Sequence, residues 1–222
     1  MQGGFIFFKM SMEKAKEILI GAIRSRRERL RIAIQKDGRL SKIAWALLET
    51  CMQACGVSLP KRDEQSRALI TKPEERSDIE IVLVRNGQIP WLVQSGNAEF
   101  GITGEDTVLE NTPSLPIAAR LGGGKSSMVI QVRTDSKIKK TEDLEGKTFA
   151  TSYPSILKAY LASRNITPGE ILKQPGSVEA FAALGITDAV CDSVESGKTM
   201  RANNLRPLTT IGTFEAILIG KN

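Results

Sequence analysis

The chain has 222 residues, a net charge of +6 and no histidine. The missing imidazole excludes Ser-His-Asp and Cys-His catalysis and any zinc site with histidine ligands. Chemistry is left to carboxylates, lysines, arginines, backbone amides or a metal that arrives with a substrate.

Apolar residues make up 41% and charged residues 25%, as in an ordinary globular protein with room for one large domain or two small ones. No apolar run approaches the roughly 18 residues of a membrane span, and the opening MQGGFIFFKM lacks the basic start of a signal peptide. Three cysteines (Cys51, Cys55, Cys191) form no disulfide framework, which fits a cytoplasmic setting. Much of the basic excess sits in Arg24, Arg26, Arg27, Arg29 and Arg31. No aromatics interleave with these arginines, so they read as a solvated surface and give no nucleic-acid face.

In chain order, residues 13–29 predict an amphipathic helix with Ala15, Ile18, Leu19, Ala22 and Ile23 on one stripe. The stripe lacks aromatics, so packing on a first lobe is favoured over a membrane surface. Arg31 to Gln35 reads as a strand, and Leu40 to Cys55 as a helix ended by Gly56, with Leu40, Ile43, Leu47, Cys51 and Cys55 on one side. Cys51 and Cys55 have no third ligand nearby and are assigned to core packing. Ile79 to Val84 is an aliphatic strand buried on both faces, Pro90 opens a short helix, and Glu99 to Ile102 forms another strand. This βαβα order predicts a mostly parallel sheet.

Gly122-Gly123-Gly124-Lys125-Ser126 is no P-loop, because Ala119 stands where the motif needs glycine. The run reads as a hinge before a second cycle: a strand from Met128 to Arg133, another from Thr148 to Thr151, and a helix from Ser155 to Ala162 opened by Pro154. Two such cycles predict two lobes with a cleft, ligands lying at the carboxyl ends of the strands. The turn Gln35-Lys36-Asp37-Gly38-Arg39 follows the first strand directly and opens a helix, a setting for an anion. Thr103-Gly104-Glu105-Asp106 is either a plain helix start or part of the cleft rim, and Tyr153-Pro154 either a cap or cleft lining.

Residues 176–200, GSVEAFAALGITDAVCDSVESGKTM, carry the most chemistry. Val178, Phe181 and Ala182 suit one face of a short helix, and Ala189 to Cys191 form a short strand flanked by Asp188 and Asp192. In Glu195-Ser196-Gly197-Lys198-Thr199, Gly197 can take positive φ and bring amides, two hydroxyls and a lysine to a phosphate. Acids at the strand end would hold ribose hydroxyls or Mg²⁺. A phosphorylated ribose is the ligand that this set predicts.

The same stretch resembles the signature of the ATP phosphoribosyltransferase family: Glu, five residues, Gly, a strand, Asp, an apolar residue, two more, then Ser/Thr-Gly-x-Thr-Leu/Met. Glu179, Gly185, Asp192, Ser196, Gly197, Thr199 and Met200 stand in register, while Ser193 replaces an aliphatic residue. The likeness extends through RIAIQKDGRL (31–40), IPWLVQSGNAEFGITGEDTVLE (89–110), GKTFATSYPSILKAYL (146–161) and RANNL (201–205). Gln88 and Ser127 stand where the family commonly has Asp and Arg.

The resemblance implies an α/β, two-lobed fold of the type II periplasmic-binding-protein kind, with the chain crossing back near Phe214 to Ile219. It implies lobe I from 30–122 and 206–222 on the ATP side, lobe II from 123–205 on the phosphoribosyl pyrophosphate side, and an extension over 1–29. The implied activity is transfer of a phosphoribosyl group to N1 of ATP, the opening step of histidine biosynthesis, a glycosyltransferase (pentosyltransferase) reaction. Asp188, Glu195, Ser196, Gly197, Lys198 and Thr199 are expected on the donor, with Glu179 and Asp192 catalytic. Lys36, Gly38, Arg39, Arg85 and Tyr153 are expected on ATP, and Mg²⁺ carried by the substrates rather than by protein ligands. By length the chain is similar to the short form of the family, without the histidine-binding regulatory domain, which implies a homodimer and a histidyl-tRNA-synthetase-like regulatory subunit. The rival readings are a solute-binding module of the same fold and a catalytically weakened subunit.

Overall fold

The structure is a computed structural model that describes residues 2–25, 29–60 and 67–220, with side chains from residue 12 onward. Arg26 and Arg27 of the basic cluster lie outside the described residues, as does most of the stretch expected to end the first helix. In chain order the elements are α1 (Gln2–Ser25), β1 (Leu30–Gln35), α2 (Arg39–Gln53), β2 (Ile70–Thr71), β3 (Ile79–Val84), α3 (Ile89–Gln94), β4 (Phe100–Gly104), α4 (Glu105–Asn111) and β5 (Ile117–Arg120). There follow β6 (Ser126–Arg133), β7 (Thr148–Thr151), α5 (Pro154–Ser163), β8 (Glu170–Lys173), α6 (Glu179–Ala183), β9 (Ala189–Val194), α7 (Lys198–Ala202), β10 (Leu205–Phe214) and β11 (Ala216–Gly220).

These divide into two compact units, Met1–Gly124 with Glu215–Asn222, and Lys125–Phe214. The glycine run marks the first junction, and Gly122 and Gly124 take φ of +68° and +62° there, where a side chain would be strained. Residues 206–214, expected in lobe I, belong instead to the second unit. They form β10, which pairs antiparallel with β6 from Leu205↔Arg133 to Phe214↔Ser126. The returning strand therefore starts at Ala216, not at Phe214.

The first unit carries a sheet in the order β2-β3-β1-β4-β11-β5. Only its centre is parallel, β1 lying between β3 and β4; β2, β11 and β5 all join antiparallel. The expectation of a mostly parallel sheet is corrected on this point. β2 is too short to announce itself, and β11 arrives only after the chain has passed through the second unit.

Parallel strands covered on both faces need continuous apolar side chains, and Ile32, Ala33 and Ile34 of β1 are all fully buried. On one face pack α1 and α2. Ala15, Leu19 and Ile23 of α1 are fully buried against Leu48, Cys51 and Met52 of α2. Leu19 and Ile23 each gain roughly 1.5–3 kcal/mol by leaving water. Burial, helped by the neighbouring Cys55, pushes the Cys51 thiol up to about 11, the behaviour of a core residue. Among the described residues, no helix is long and apolar enough to cross a membrane.

The second unit has a sheet in the order β10-β6-β9-β7-β8, parallel at β9-β7-β8 and antiparallel at β10-β6-β9. Alternation along the strands builds an apolar layer on each face. Met128, Ile130, Val132 and Cys191 meet Phe149, Leu157 and Leu161 on one side. Val190 meets Val178, Ala182 and Met200 on the other, which seats α6 and α7.

Candidate functional site

In the second unit, β9 carries the chain to the hydroxyl-rich turn. The strand was expected to end at Asp192 but runs on to Val194, so Asp192 sits inside it, its Oδ1 accepting the Ser193 N–H at 2.8 Å. Gly197 then adopts φ +68°, ψ 12° and caps α7. The left-handed conformation calls for glycine, and a Cβ at this position would lie 2.9 Å from a guanidinium nitrogen of Arg201, which would have to shift. Arg201 in turn donates to the Ser196 carbonyl at 2.9 Å and holds the turn closed.

A cavity of about 240 Å³ opens here, lined by Glu179, Ser193, Val194, Glu195, Ser196, Gly197, Lys198, Thr199 and Met200. Folding thus brings Glu179, at the start of α6, beside the turn. Ser196, Lys198 and Thr199 are exposed around the buried Gly197, as an anion-binding turn requires. Ser193, seen in the sequence only as a departure from a pattern, contributes a hydroxyl-bearing wall.

The two flanking aspartates are not among the lining residues. Asp188 was expected on the donor. Its carboxylate instead accepts the N–H and the hydroxyl of Thr148, both at 2.9 Å, while its own N–H donates to the Thr148 hydroxyl at 3.0 Å. Partial burial pushes this carboxyl up, but the Thr148 bonds together with the nearby Lys147 and Arg133 charges outweigh it and the net shift is downward. Asp188 is a clamp between the starts of β7 and β9. Tyr153, expected on ATP, is half-buried in the apolar layer of this same unit, its N–H bonded to Thr151 Oγ1 at 2.8 Å at the start of α5.

In the first unit, the register Gln35↔Val84 sets the carboxyl ends of β1 and β3 side by side, and the Lys36 N–H extends the pairing to the Val84 carbonyl at 2.9 Å. A cavity of about 440 Å³ lies there, lined by Gln35, Lys36, Asp37, Leu69, Leu83, Val84, Arg85, Asn86 and Gln88. Lys36 and Arg85, far apart in sequence, face one space. Gly38 and Arg39 are not part of that lining. Gly38 takes φ +101° to start α2, and Arg39 donates to the Gly124 carbonyl at 2.6 Å, which ties the glycine run to this unit. Gln88, standing where the family often has Asp, accepts the Arg85 N–H at 3.1 Å and closes the turn after β3.

Sequence reasoning missed Asn86. It lies on the cavity wall, and its side chain reaches Thr103, the first residue of the Thr103-Gly104-Glu105-Asp106 segment, and Thr107, which follows it. The clue was a threonine near the end of β4 followed by an aspartate and a second threonine in the first turn of α4. Thr103, Asp106 and Thr107 are all buried.

The HisG model, which describes ATP phosphoribosyltransferase, matches residues 85–222, a span that includes the β9–α7 turn and Arg85. The chain belongs to the ATP phosphoribosyltransferase family. It is 37% identical over 197 residues to the ATP phosphoribosyltransferase of Maricaulis maris, covering 86% of this chain and 64% of that protein. With the Parabacteroides distasonis enzyme it shares 34% over 193 residues, covering 87% of this chain and 65% of the other. The chain thus spans a little under two thirds of the length of these relatives.

Among solved structures, the ATP phosphoribosyl transferase (HisG:HisZ) complex from Thermotoga maritima matches with a TM-score of 0.69 at 26% identity, covering 86% of this chain and 87% of that one. The periplasmic aliphatic sulphonate binding protein SsuA of Escherichia coli matches with a TM-score of 0.58 at 16% identity, covering 88% of this chain and 62% of that one. The likeness to SsuA is one of fold alone, and it agrees with the α/β class of the periplasmic-binding-protein kind expected from the sequence.

Proposed function

We propose that this chain transfers the phosphoribosyl group of phosphoribosyl pyrophosphate to N1 of ATP, releasing pyrophosphate. The observation that carries the reading is the glycine turn at Ser196-Gly197-Lys198-Thr199, formed with Glu179 alongside it, in a member of this family. Fold likeness to solute-binding proteins alone gives no comparable support for a module without chemistry.

In this reading the turn holds the 5-phosphate through amides, the Ser196 and Thr199 hydroxyls and the Lys198 ammonium, and Glu179 meets the ribose hydroxyls. Lys36 and Arg85 receive the ATP triphosphate. N1 of ATP supplies its electron pair to C1 of the ribose as the bond from C1 to the pyrophosphate oxygen breaks. Positive charge gathers on the sugar and negative charge on the leaving group. Fixed cations and amides stabilise that separation without any group having to act as an imidazole would.

Among the described residues no group of three or more Cys, Asp or Glu side chains is placed to hold a metal. Mg²⁺ fits here as an ion held mainly by substrate phosphates, with one or two carboxylates such as Asp37 near it. When bound, it neutralises polyphosphate charge.

The Thermotoga maritima structure is a HisG:HisZ complex. By that analogy the chain works with a HisZ-type regulatory partner; the histidyl-tRNA-synthetase-like nature of that partner, a homodimer and a cytoplasmic setting come from the family resemblance of the sequence. The direct test is the double variant Ser196→Ala/Thr199→Ala. It should raise the Michaelis constant for phosphoribosyl pyrophosphate by about ten-fold or more per lost bond and leave the ATP constant nearly unchanged. Unchanged donor kinetics would remove the turn from the site.

A further inference from the structure

Asn86 is half-buried at the head of the turn that follows β3, on the wall of the cavity that also contains Lys36, Asp37 and Arg85. Its carboxamide orientation is fixed by its partners. Oδ1 accepts the Thr103 hydroxyl at 2.8 Å, and Nδ2 donates to Thr107 Oγ1 at 2.6 Å. A hydroxyl that accepts from an amide must send its own proton elsewhere, and Thr107 Oγ1 lies 3.3 Å from Asp106 Oδ1. Asp106 is held by the Thr107 N–H at 2.8 Å and is 2% exposed. Gly104 makes room for it: a Cβ there would fall 2.2 Å from the same Oδ1.

The result is a hydrogen-bonded chain, from the buried Asp106 carboxylate through the Thr107 hydroxyl to the half-buried Asn86 amide and the Thr103 hydroxyl. While the Thr107 hydroxyl gives its proton to Asp106, reversing the amide would set its oxygen against an oxygen with no proton to offer, so this proton order favours the orientation with nitrogen toward Thr107. An amide nitrogen carries two protons. Thr107 takes one; the other has no acceptor among the described residues, and the residue borders a cavity already containing an ammonium and a guanidinium.

We propose that Asn86 is a third ligand-contacting group of this cavity, an oriented N–H donor to a phosphate oxygen of the nucleotide, with Thr107 and Asp106 as its positioning residues. This rests on the reading above that Lys36 and Arg85 receive the triphosphate. A neutral donor locked in place adds direction to two flexible cations without adding charge to a cavity that also contains Asp37.

The experiment is titration calorimetry of the full chain with inorganic tripolyphosphate, and with phosphoribosyl pyrophosphate as the internal control, alongside melting temperatures. Wild type should bind tripolyphosphate, and Lys36→Ala should weaken it. Asn86→Ala should weaken it about ten-fold. Asn86→Asp, which keeps the shape and the acceptor for Thr103 but sets a carboxylate beside the anion, should weaken it further. Thr107→Val should lose part of the affinity and Thr107→Ser restore it, with donor binding unchanged throughout.

Asn86→Ala also leaves Thr103 and Thr107 without that amide partner and should melt lower in either case. A merely structural role would lower the melting temperature with tripolyphosphate affinity intact, or weaken both ligands together, and either result would overturn the proposal. So would wild-type tripolyphosphate affinity in Asn86→Ala and Asn86→Asp while Lys36→Ala is impaired, a result that leaves the cavity reading standing. If wild type and Lys36→Ala alike bind no tripolyphosphate, the cavity reading fails and this proposal falls with it.

Discussion

Gly197→Ala separates the backbone of the phosphate turn from its side chains, since it removes no hydroxyl and no charge. Gly197 sits at φ +68°, where an L residue costs about 1–2 kcal/mol. The added methyl would also lie 2.9 Å from Nη1 of Arg201, whose guanidinium must shift and so strain or lose the 2.9 Å bond from its Nη2 to the Ser196 carbonyl. Losing a hydrogen bond from a charged donor costs about 1.5–3 kcal/mol when nothing replaces it, and less where water does, as at this exposed turn.

The sum is about 2–4 kcal/mol, against a side-chain inventory that has not changed. For a chain of this size that lowers the melting temperature by about 4–15 °C. The Michaelis constant for phosphoribosyl pyrophosphate should rise with it, because the amides that face the ligand are re-aimed. Gly197→Asn is the internal control. It carries the same Cβ but tolerates the left-handed region better, so it should fall between wild type and Gly197→Ala in both readouts. Scanning calorimetry and initial-rate kinetics on the three proteins decide the matter. A Gly197→Ala protein that melts within a degree of wild type and keeps its donor constant would refute the argument.

Glu80, 5% exposed, bonds Arg31 Nε at 2.6 Å and Lys72 Nζ at 2.9 Å, and the Arg31 bond first, then Lys72, holds its carboxyl below the usual glutamate range. A depressed folded-state pKa contributes stability above the unfolded value of about 4.3 and loses it as pH falls through the folded value. Glu80→Gln should therefore melt well below wild type at pH 7, with the gap closing below about pH 4; a gap constant with pH would contradict this. Leu19→Ala on α1 should cost about 2–5 kcal/mol in chemical unfolding, because Leu19 is fully buried. A loss under 1 kcal/mol would mean that α1 is not part of the core. Asp188→Ala should destabilise the second unit by about 0.5–1.5 kcal/mol, since water replaces part of these exposed bonds, and leave the donor constant unchanged, the reverse of what a ribose ligand would do.

Local signals carried the parts of this fold that local physics dictates. The aliphatic run Ile79–Val84 and the span Thr148–Thr151 are strands with those same limits, and Pro90 and Pro154 stand in the first turns of α3 and α5, where a missing N–H does no harm. The positive φ of Gly197 followed from its neighbours. What stayed hidden depends on partners distant in sequence. β10 has register shifts near Pro207 and Gly212 and no clean alternation, and only β6 across the ladder makes it a strand.

The same holds in the candidate site. Asp188 looks like a strand-end acid until Thr148, 40 positions away, is seen to hold it. Asn86 is unremarkable in sequence because its partners lie 17 and 21 positions on. Arg39 was legible as a cation at a strand end, but its guanidinium is engaged by the Gly124 carbonyl, 85 positions on.

The central claim is that this chain performs the transfer, and formation of N1-phosphoribosyl-ATP tests it most directly. Purified chain incubated with ATP, phosphoribosyl pyrophosphate and Mg²⁺ should develop the absorbance of that product in step with pyrophosphate release, and Ser196→Ala/Thr199→Ala should need far more donor to reach the same rate. Binding of both substrates in calorimetry with no product and no pyrophosphate would contradict the account and make the chain a binding protein.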